Sequence, residues 1–167
     1  QSETRIEIRP YEPQYKEAVR DFILPIQQIE CNAPVTYEGQ PDLHDIPRYY
    51  QQQGGNFWLA WHEGELIGTI GLINAGDDIG VVRKMFVAKP FRGKTIATAQ
   101  TLLDILTHWA HQKRLRALYL GTLDYMHAAL RFYERNGFTK ISPDTLPQEV
   151  ERIKMSVDNT YFYKPLG

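Results

Sequence analysis

Residues Val87–Ala97, VAKPFRGKTIA, decide the reading of this chain. An apolar run from Gly80 to Val87 leads into Pro90, then Arg92-Gly93-Lys94-Thr95-Ile96-Ala97, then a stretch with helical periodicity. That is a strand, a short basic loop and a helix N-terminus. The first turn of a helix leaves backbone N–H groups without intrahelical partners, and its macrodipole adds partial positive charge there. A loop so placed is a site for an anion, phosphate above all. Between Ile79 and Leu103 the charged residues are Arg83, Lys84, Lys89, Arg92 and Lys94, with no Asp or Glu. Gly93 is its single glycine, so the loop is neither a G-x-x-x-x-G-K-[ST] phosphate loop nor a dinucleotide fingerprint. Taken alone it is equally a solvated basic turn.

Downstream, Thr95–His111 reads as a helix with Ile96, Ala99, Leu103, Leu106 and Ala110 on its buried stripe. Such a crossover lets a strand at Arg116–Leu120 lie parallel to the strand that begins at Ile79. Upstream, Asn56–His62 and Glu65–Ile73 are strand-like runs joined by Glu63-Gly64, and Asn74–Asp78 turns the chain into the third strand of a meander. Arg5–Arg9 alternates as a half-buried strand does. Gln14–Glu30 is helical in spacing, with Pro25 expected to kink or split it. Cys31–Gln40 reads as a loop and Pro41–Gln53 as a second helix, ended by Gly54-Gly55. Asp124 is a candidate N-cap for a helix to Asn136, with Gly137 as its C′ glycine. Phe138–Ile141 is a strand, Ser142–Ile153 is irregular, and Ser156–Lys164 is a closing strand. The expectation is a mixed α/β (α+β) chain, a single domain over residues 1–167.

Composition narrows the partners. A net charge of -1 argues against a large nucleic-acid footprint, and the local basic density suits a small anionic ligand. Cys31 is the only cysteine, so no intrachain disulfide forms, in keeping with a reducing cytoplasm. It reads as a small buried or loop thiol. The sequence shows no membrane-spanning run, signal peptide or lipidation motif, and Gln1 in place of Met reads as processing. The five histidines have no metal-ligand spacing, and His127 reads as surface. No metal, nucleic-acid or membrane partner is expected.

A second motif changes the weight of the first. Ala129–Phe138 reads ALRFYERNGF. With the basic loop before it, the chain resembles the GNAT superfamily of acetyl-CoA-dependent N-acetyltransferases. The family's cofactor loop, V-x-P-x-x-R-G-x-G-I-G/A, is matched by Val87, Pro90 (one position late), Arg92, Gly93, Ile96 and Ala97. Its later signature, A-x-x-x-Y-x-x-x-G-F, is matched by Ala129, Tyr133, Gly137 and Phe138. The resemblance is closest over Asn56–Ile141. It implies a GNAT fold with a central mixed sheet of about seven strands, splayed at the cofactor site and flanked by about four helices. It also implies acetyl-CoA as co-substrate, with the backbone of Met85, Phe86 and Val87 pairing to the pantetheine arm. The pyrophosphate would then lie on the amides of Arg92, Gly93, Lys94, Thr95, Ile96 and Ala97. Tyr133 would lie near the thioester sulfur as proton donor, and a strand N–H near Val87 would stabilise the oxyanion. Without the loop, Tyr133 would read as core packing.

Three departures from the family pattern stand out. Thr95 replaces the loop's second glycine, where a side chain restricts the approach of phosphate. Met126 stands where many relatives carry a cofactor-contacting Asn. Val81 stands where many carry a general-base Glu, leaving Asp77, Asp78 and Glu38 as weak substitutes. The activity implied is transfer of an acetyl group to a primary amine of a small molecule, amino acid or peptide, by direct attack in a ternary complex. The alternative is a catalytically weak or inactive acyl-CoA sensor on the same fold. Relatives suggest a possible homodimer. Tyr37-Glu38 is equally an acceptor-pocket lining or a polar turn.

Overall fold

The computed structural model describes residues 5–93 and 97–167. Glu7–Pro10 (β1), Asn56–His62 (β2), Glu65–Gly76 (β3) and Ile79–Val87 (β4) form an antiparallel run. The turn between β2 and β3 is Glu63-Gly64, both at positive φ (49° and 80°), which the twist of a tight hairpin demands. Helix α4 (Thr98–Gln112) then crosses one face, and Ala117–Thr122 (β5) returns parallel to β4. Helix α5 (His127–Arg135) precedes Thr139–Ile141 (β6), and Thr160–Pro165 (β7) inserts between β5 and β6. The sheet is seven-stranded, in the order β1-β2-β3-β4-β5-β7-β6.

Two faces of the sheet are covered separately. On one, Leu102, Leu103 and Leu106 of α4 pack on Trp58, Ile70, Val82 and Phe162. Each fully buried leucine there contributes roughly 1.5–3 kcal/mol relative to exposure. On the other, helix α1 (Lys16–Pro25) supplies Val19 and Ile23, which meet Tyr50, Phe57, Leu59 and Trp61. The short turns α2 (Pro41–His44) and α3 (Ile46–Tyr49) add Leu43 and Ile46. Near the start of β4, Ile79 and Val81 pack on Val150 of helix α6 (Gln148–Glu151), inside the stretch expected to be irregular.

The regular α-helix ends at Pro25, and the chain continues as a π-helical turn over Ile26–Glu30, closed by the Cys31 amide on the Ile26 carbonyl (2.8 Å). Two expected elements are corrected. The helix expected over Pro41–Gln53 is broken at Asp45 (φ −151°, ψ 71°). Pro47 has no N–H to continue the first turn, and the Asp45 side chain caps the second by accepting from the Arg48 amide (3.3 Å). Helix α5 begins at His127 rather than after Asp124: a turn closed by the Met126 amide on the Leu123 carbonyl (3.1 Å) precedes it, and the Asp124 amide is bound by Asn159 Oδ1 (2.9 Å).

Two irregularities of β4 shape the sheet around its centre. First, β4 and β5 are paired only from Ile79↔Ala117 to Val81↔Tyr119, and beyond Val81 they part. Second, β4 carries a bulge. Thr69 pairs with Phe86 and Gly71 with Arg83, so Lys84 and Met85 oppose Ile70 alone. Lys84 takes a left-handed φ of 56°, and the Thr69 hydroxyl holds its carbonyl (2.8 Å).

Candidate active site

The gap between β4 and β5 opens into two connected spaces. The larger is a cleft of about 710 Å³ and the smaller a cavity of about 130 Å³. Cys31, Met85, Phe86, Met126 and Ala129 line both. Met85, Phe86, Val87, Arg92, Gly93 and Ala97, all expected at the cofactor, border the larger cleft. Lys94, Thr95 and Ile96 lie outside the described residues.

The cleft has the polar equipment for an extended, anionic guest. The β5-facing edge of β4 has no strand partner past Val81 among the described residues, which leaves main-chain groups for a ligand to pair with. Arg92 is held over the loop by its Nε bond to the Val87 carbonyl (2.7 Å). Its outer nitrogen meets Glu30 at 2.5 Å, both side chains being about two-fifths exposed (42% and 41%). Gly93 sits at φ 109°, a conformation that favours glycine, and a Cβ there would meet nothing within 4 Å. Ala97, at φ 58°, precedes α4 without a side-chain cap. The adjacent Thr98 hydroxyl is buried with no partner among the described residues. Open glycine backbone and an uncapped helix start on one side of the cleft fit a phosphate-bearing group.

Tyr133 borders the smaller cavity. Its ring is core, edge-on to Phe138 (5.8 Å) and tilted on Phe162 (5.9 Å). Its hydroxyl makes no hydrogen bond among the described residues. Burial, then the Asp158 carboxylate, pushes its pKa well above the ordinary phenol value, so the group stays protonated as a donor. The ring packs as core while the hydroxyl stays free to donate.

The opposite wall holds residues that sequence reading placed elsewhere. Arg83 and Lys84 counted toward the basic density of the loop, yet both turn to the α2 side, where Asp42 lies 3.7 Å and 3.2 Å away. Two successive strand residues share a face here because Lys84 is the bulged residue. The Tyr50 hydroxyl donates to the same carboxylate (2.6 Å), and Gly71 makes room, since a Cβ there would lie 2.7 Å from the Tyr50 ring. Burial, reinforced by Arg83, lowers the Lys84 pKa to about 8 against the opposing pull of Asp42. Burial also acts to raise Asp42, but Lys84, Arg83 and the Tyr50 bond outweigh it and hold the carboxyl below its usual range. Asp158, just before β7, completes the cavity wall.

The acidic residues expected as substitutes for the missing strand Glu are elsewhere. Asp77 and Asp78 lie at the start of β4, away from the opening, with Asp77 bonded to Arg116 (2.8 Å). Glu38 is exposed and borders neither space, and Tyr37 stacks on His44 (3.8 Å) instead. Val81 is packed against Val150. His127, read as surface, is exposed at the rim of the larger cleft. Burial and then Glu30 raise the Cys31 thiol above its ordinary range, which disfavours the thiolate. Among the described residues no group of three or more His, Cys, Asp or Glu could hold a metal ion, and no helix is long and apolar enough to cross a membrane.

Comparison with known proteins gives this architecture a context. The profile of the acetyltransferase (GNAT) family matches residues 21–138. A probable N-acetyltransferase, camello, of Xenopus tropicalis is 32% identical over 116 residues, covering 66% of this chain and 51% of that protein. The chain thus spans about half the length of that curated relative (51%). A GNAT-family acetyltransferase from Staphylococcus aureus Mu50 is 36% identical with a TM-score of 0.93, covering 98% of this chain and 100% of that one. N-acetylglutamate synthase from Neisseria gonorrhoeae, solved with coenzyme A and N-acetylglutamate, has a TM-score of 0.73 at 16% identity. It is a likeness of fold over 99% of this chain and 36% of that one.

Proposed function

The chain belongs to the GNAT acetyltransferase family, and from that premise we propose that it transfers an acetyl group from acetyl-CoA to a primary amine, by direct attack while both substrates are bound. The carrying observation is the Tyr133 hydroxyl, unbonded among the described residues and facing the cavity where β4 and β5 part, next to the cleft that Arg92 borders. The thioester lies at the junction of the two spaces, where Met85 and Phe86 line both. The pantetheine pairs along the free edge of β4, and the phosphates meet Arg92, Gly93 and the start of α4. The loop residues Lys94, Thr95 and Ile96 are included on the family resemblance alone. Relatives bearing N-acetyltransferase names favour turnover over a sensor without activity.

The chain's residues have a limited task in this reaction. A thiolate is a fair leaving group, so holding amine and thioester in contact supplies most of the acceleration. Main-chain N–H groups of β4 past Val81 stabilise charge that develops on the carbonyl oxygen. Tyr133 donates its proton to the departing sulfur. The acceptor enters from the side of the smaller cavity, whose size fits a small amine or the tip of a peptide. One relative by sequence is an N-acetylaspartate synthetase of Xenopus tropicalis, 34% identical over 102 residues, which places amino acids among the acceptors to screen.

Calorimetric titration with acetyl-CoA, beside desulfo-CoA and ATP, tests the first half. Both CoA ligands bind in the micromolar range and ATP much more weakly; absence of CoA binding ends the proposal. Thiol release across a panel of amino acids, small amines and peptides tests the second. Arg92→Glu lowers acetyl-CoA affinity about 10- to 100-fold, the effect of losing charge-assisted phosphate contacts and adding repulsion. Its Glu30 pair is exposed and the Nε bond to the Val87 carbonyl is lost with it, so folding stability falls by about 2 kcal/mol and the variant stays folded. Unchanged affinity in the folded variant means the phosphates lie elsewhere.

A further inference from the structure

Once acetyl transfer is assumed, the reaction still lacks a group to receive the proton of the incoming ammonium. The resemblance offers Val81 at that position, and the three carboxylates read from the sequence lie outside the cavity. Asp158 is different. It borders the smaller cavity together with Tyr133, Arg83 and Lys84. Among the described residues its carboxylate accepts no hydrogen bond and has no cation within 4.0 Å, whereas the nearby Asp42 serves Arg83, Lys84 and Tyr50 together. The fold also makes a place for it. A Cβ on Gly121 of β5 would lie 2.6 Å from Asp158 Oδ2, so the carboxylate rests over β5 only because that residue is glycine. A half-buried carboxylate with no partner, set in a notch beside the reacting bond, is suited to a cationic guest.

We propose that Asp158 holds the ammonium group of the acceptor and takes its first proton. This rests on the acetyltransferase reading. The proton balance is complete. An Asp158 oxygen accepts one proton from R–NH3+, and the freed lone pair forms the C–N bond to the thioester carbon while the carbonyl π pair moves to oxygen. The carbonyl re-forms, the C–S bond breaks, and the sulfur takes the Tyr133 proton. Tyr133 is reprotonated by the second proton leaving nitrogen, and Asp158 releases the first to solvent. The products are R–NH–acetyl, CoA-SH and H+.

The groups facing Asp158 set its behaviour. Arg83 and Lys84 face it from β4, Tyr133 from α5 and Tyr161 from β7. Burial raises its carboxyl above the ordinary range, while Arg83 and Lys84 pull it back down. Arg83 and Lys84 favour the ionised carboxylate that receives an ammonium, and the partial burial favours the protonated form, which makes the group a better proton acceptor.

The test is Asp158→Asn in the full chain, an isosteric change that breaks no hydrogen bond of the side chain among the described residues. With the amine that turns over fastest, kcat/KM for the acceptor falls about 100-fold and the carboxylate limb of its pH profile disappears. Acetyl-CoA affinity stays within about twofold, because the residue lies outside the larger cleft. Retention of rate and pH profile overturns the assignment while leaving acetyl transfer intact. A second measurement needs no turnover. CoA-saturated protein is titrated with n-butylammonium chloride, and with n-butanol as the uncharged control. Wild type binds the ammonium about tenfold more tightly than Asp158→Asn does, with no difference for butanol. Equal ammonium affinity overturns the proposal. A wild type that binds CoA and butylammonium but acetylates nothing overturns the transferase reading instead.

Discussion

Asp42→Ala will destabilise the protein by about 3–5 kcal/mol, the cost of leaving a buried charge without its partner. Lys84 is wholly enclosed, with 1% of its side chain exposed, and its ammonium has the Asp42 carboxylate at 3.2 Å and the Met155 sulfur at 3.6 Å. Removing Asp42 strips the cation of its only carboxylate within 4.0 Å among the described residues, leaving the more distant Asp158, and the Tyr50 hydroxyl loses its acceptor as well. Urea unfolding reads the effect as a lower midpoint at unchanged slope. Adding Lys84→Met restores part of the loss, because no enclosed charge then lacks a partner; Arg83 reaches further toward solvent, at 12% exposure. A midpoint that does not move refutes the pairing. The wild-type pH dependence carries a matching sign. Lys84 titrates near 8 in the folded chain and near 10.5 when unfolded. Across that window the unfolded chain binds the extra proton, so this residue makes stability rise with pH, and Lys84→Met removes the rise.

Tyr133→Phe will lower kcat by about 100-fold, at the lower end of what a positioned proton donor contributes. Affinity for acetyl-CoA and stability will change little, since the ring contacts with Phe138 and Phe162 survive and the hydroxyl has no hydrogen bond among the described residues to lose. Because burial and Asp158 hold the phenol pKa high, the wild-type rate has no basic limb from Tyr133 up to the ordinary phenol range. A tyrosine that merely packs gives the opposite pattern, with full kcat in the Phe variant, and thiol release at saturating acetyl-CoA separates the two.

Local patterns carried much of this architecture and long-range pairings the rest. The β2–β3–β4 meander, α4 and α5 arise from alternation and helical spacing, which neighbouring residues specify. The break at Asp45 is also written locally, in Pro47, inside a stretch that its Gly54-Gly55 stop marks as one helix. Tyr133 was legible because its motif is contiguous. Asp42, Lys84 and Asp158 were not, because no short-range pattern joins them. They meet only after β3 and β4 pair with one residue out of step, and after β7 returns beside β5. Arg83 and Lys84 show the error most clearly. Beside Lys89 and Arg92 in the chain they read as one basic patch, whereas the pleat and the bulge send them to Asp42. A lone charged pair inside an otherwise apolar strand was the available signal, since a buried cation requires a buried anion.

The bulge also bears on how this strand tolerates insertion and loss. Val82, Met85 and Val87 pack on the α4 side, and Ile79, Val81 and Phe86 pack on the other. With Lys84 left out, Val82, Arg83, Met85, Phe86 and Val87 alternate without interruption. Lys84 is therefore a supernumerary residue, one whose deletion would leave every apolar neighbour on its own side of the sheet. The hydrophobic scaffold and the ionic inset beside the cavity are thus carried by separate residues, and the second can be rewritten without redrafting the first.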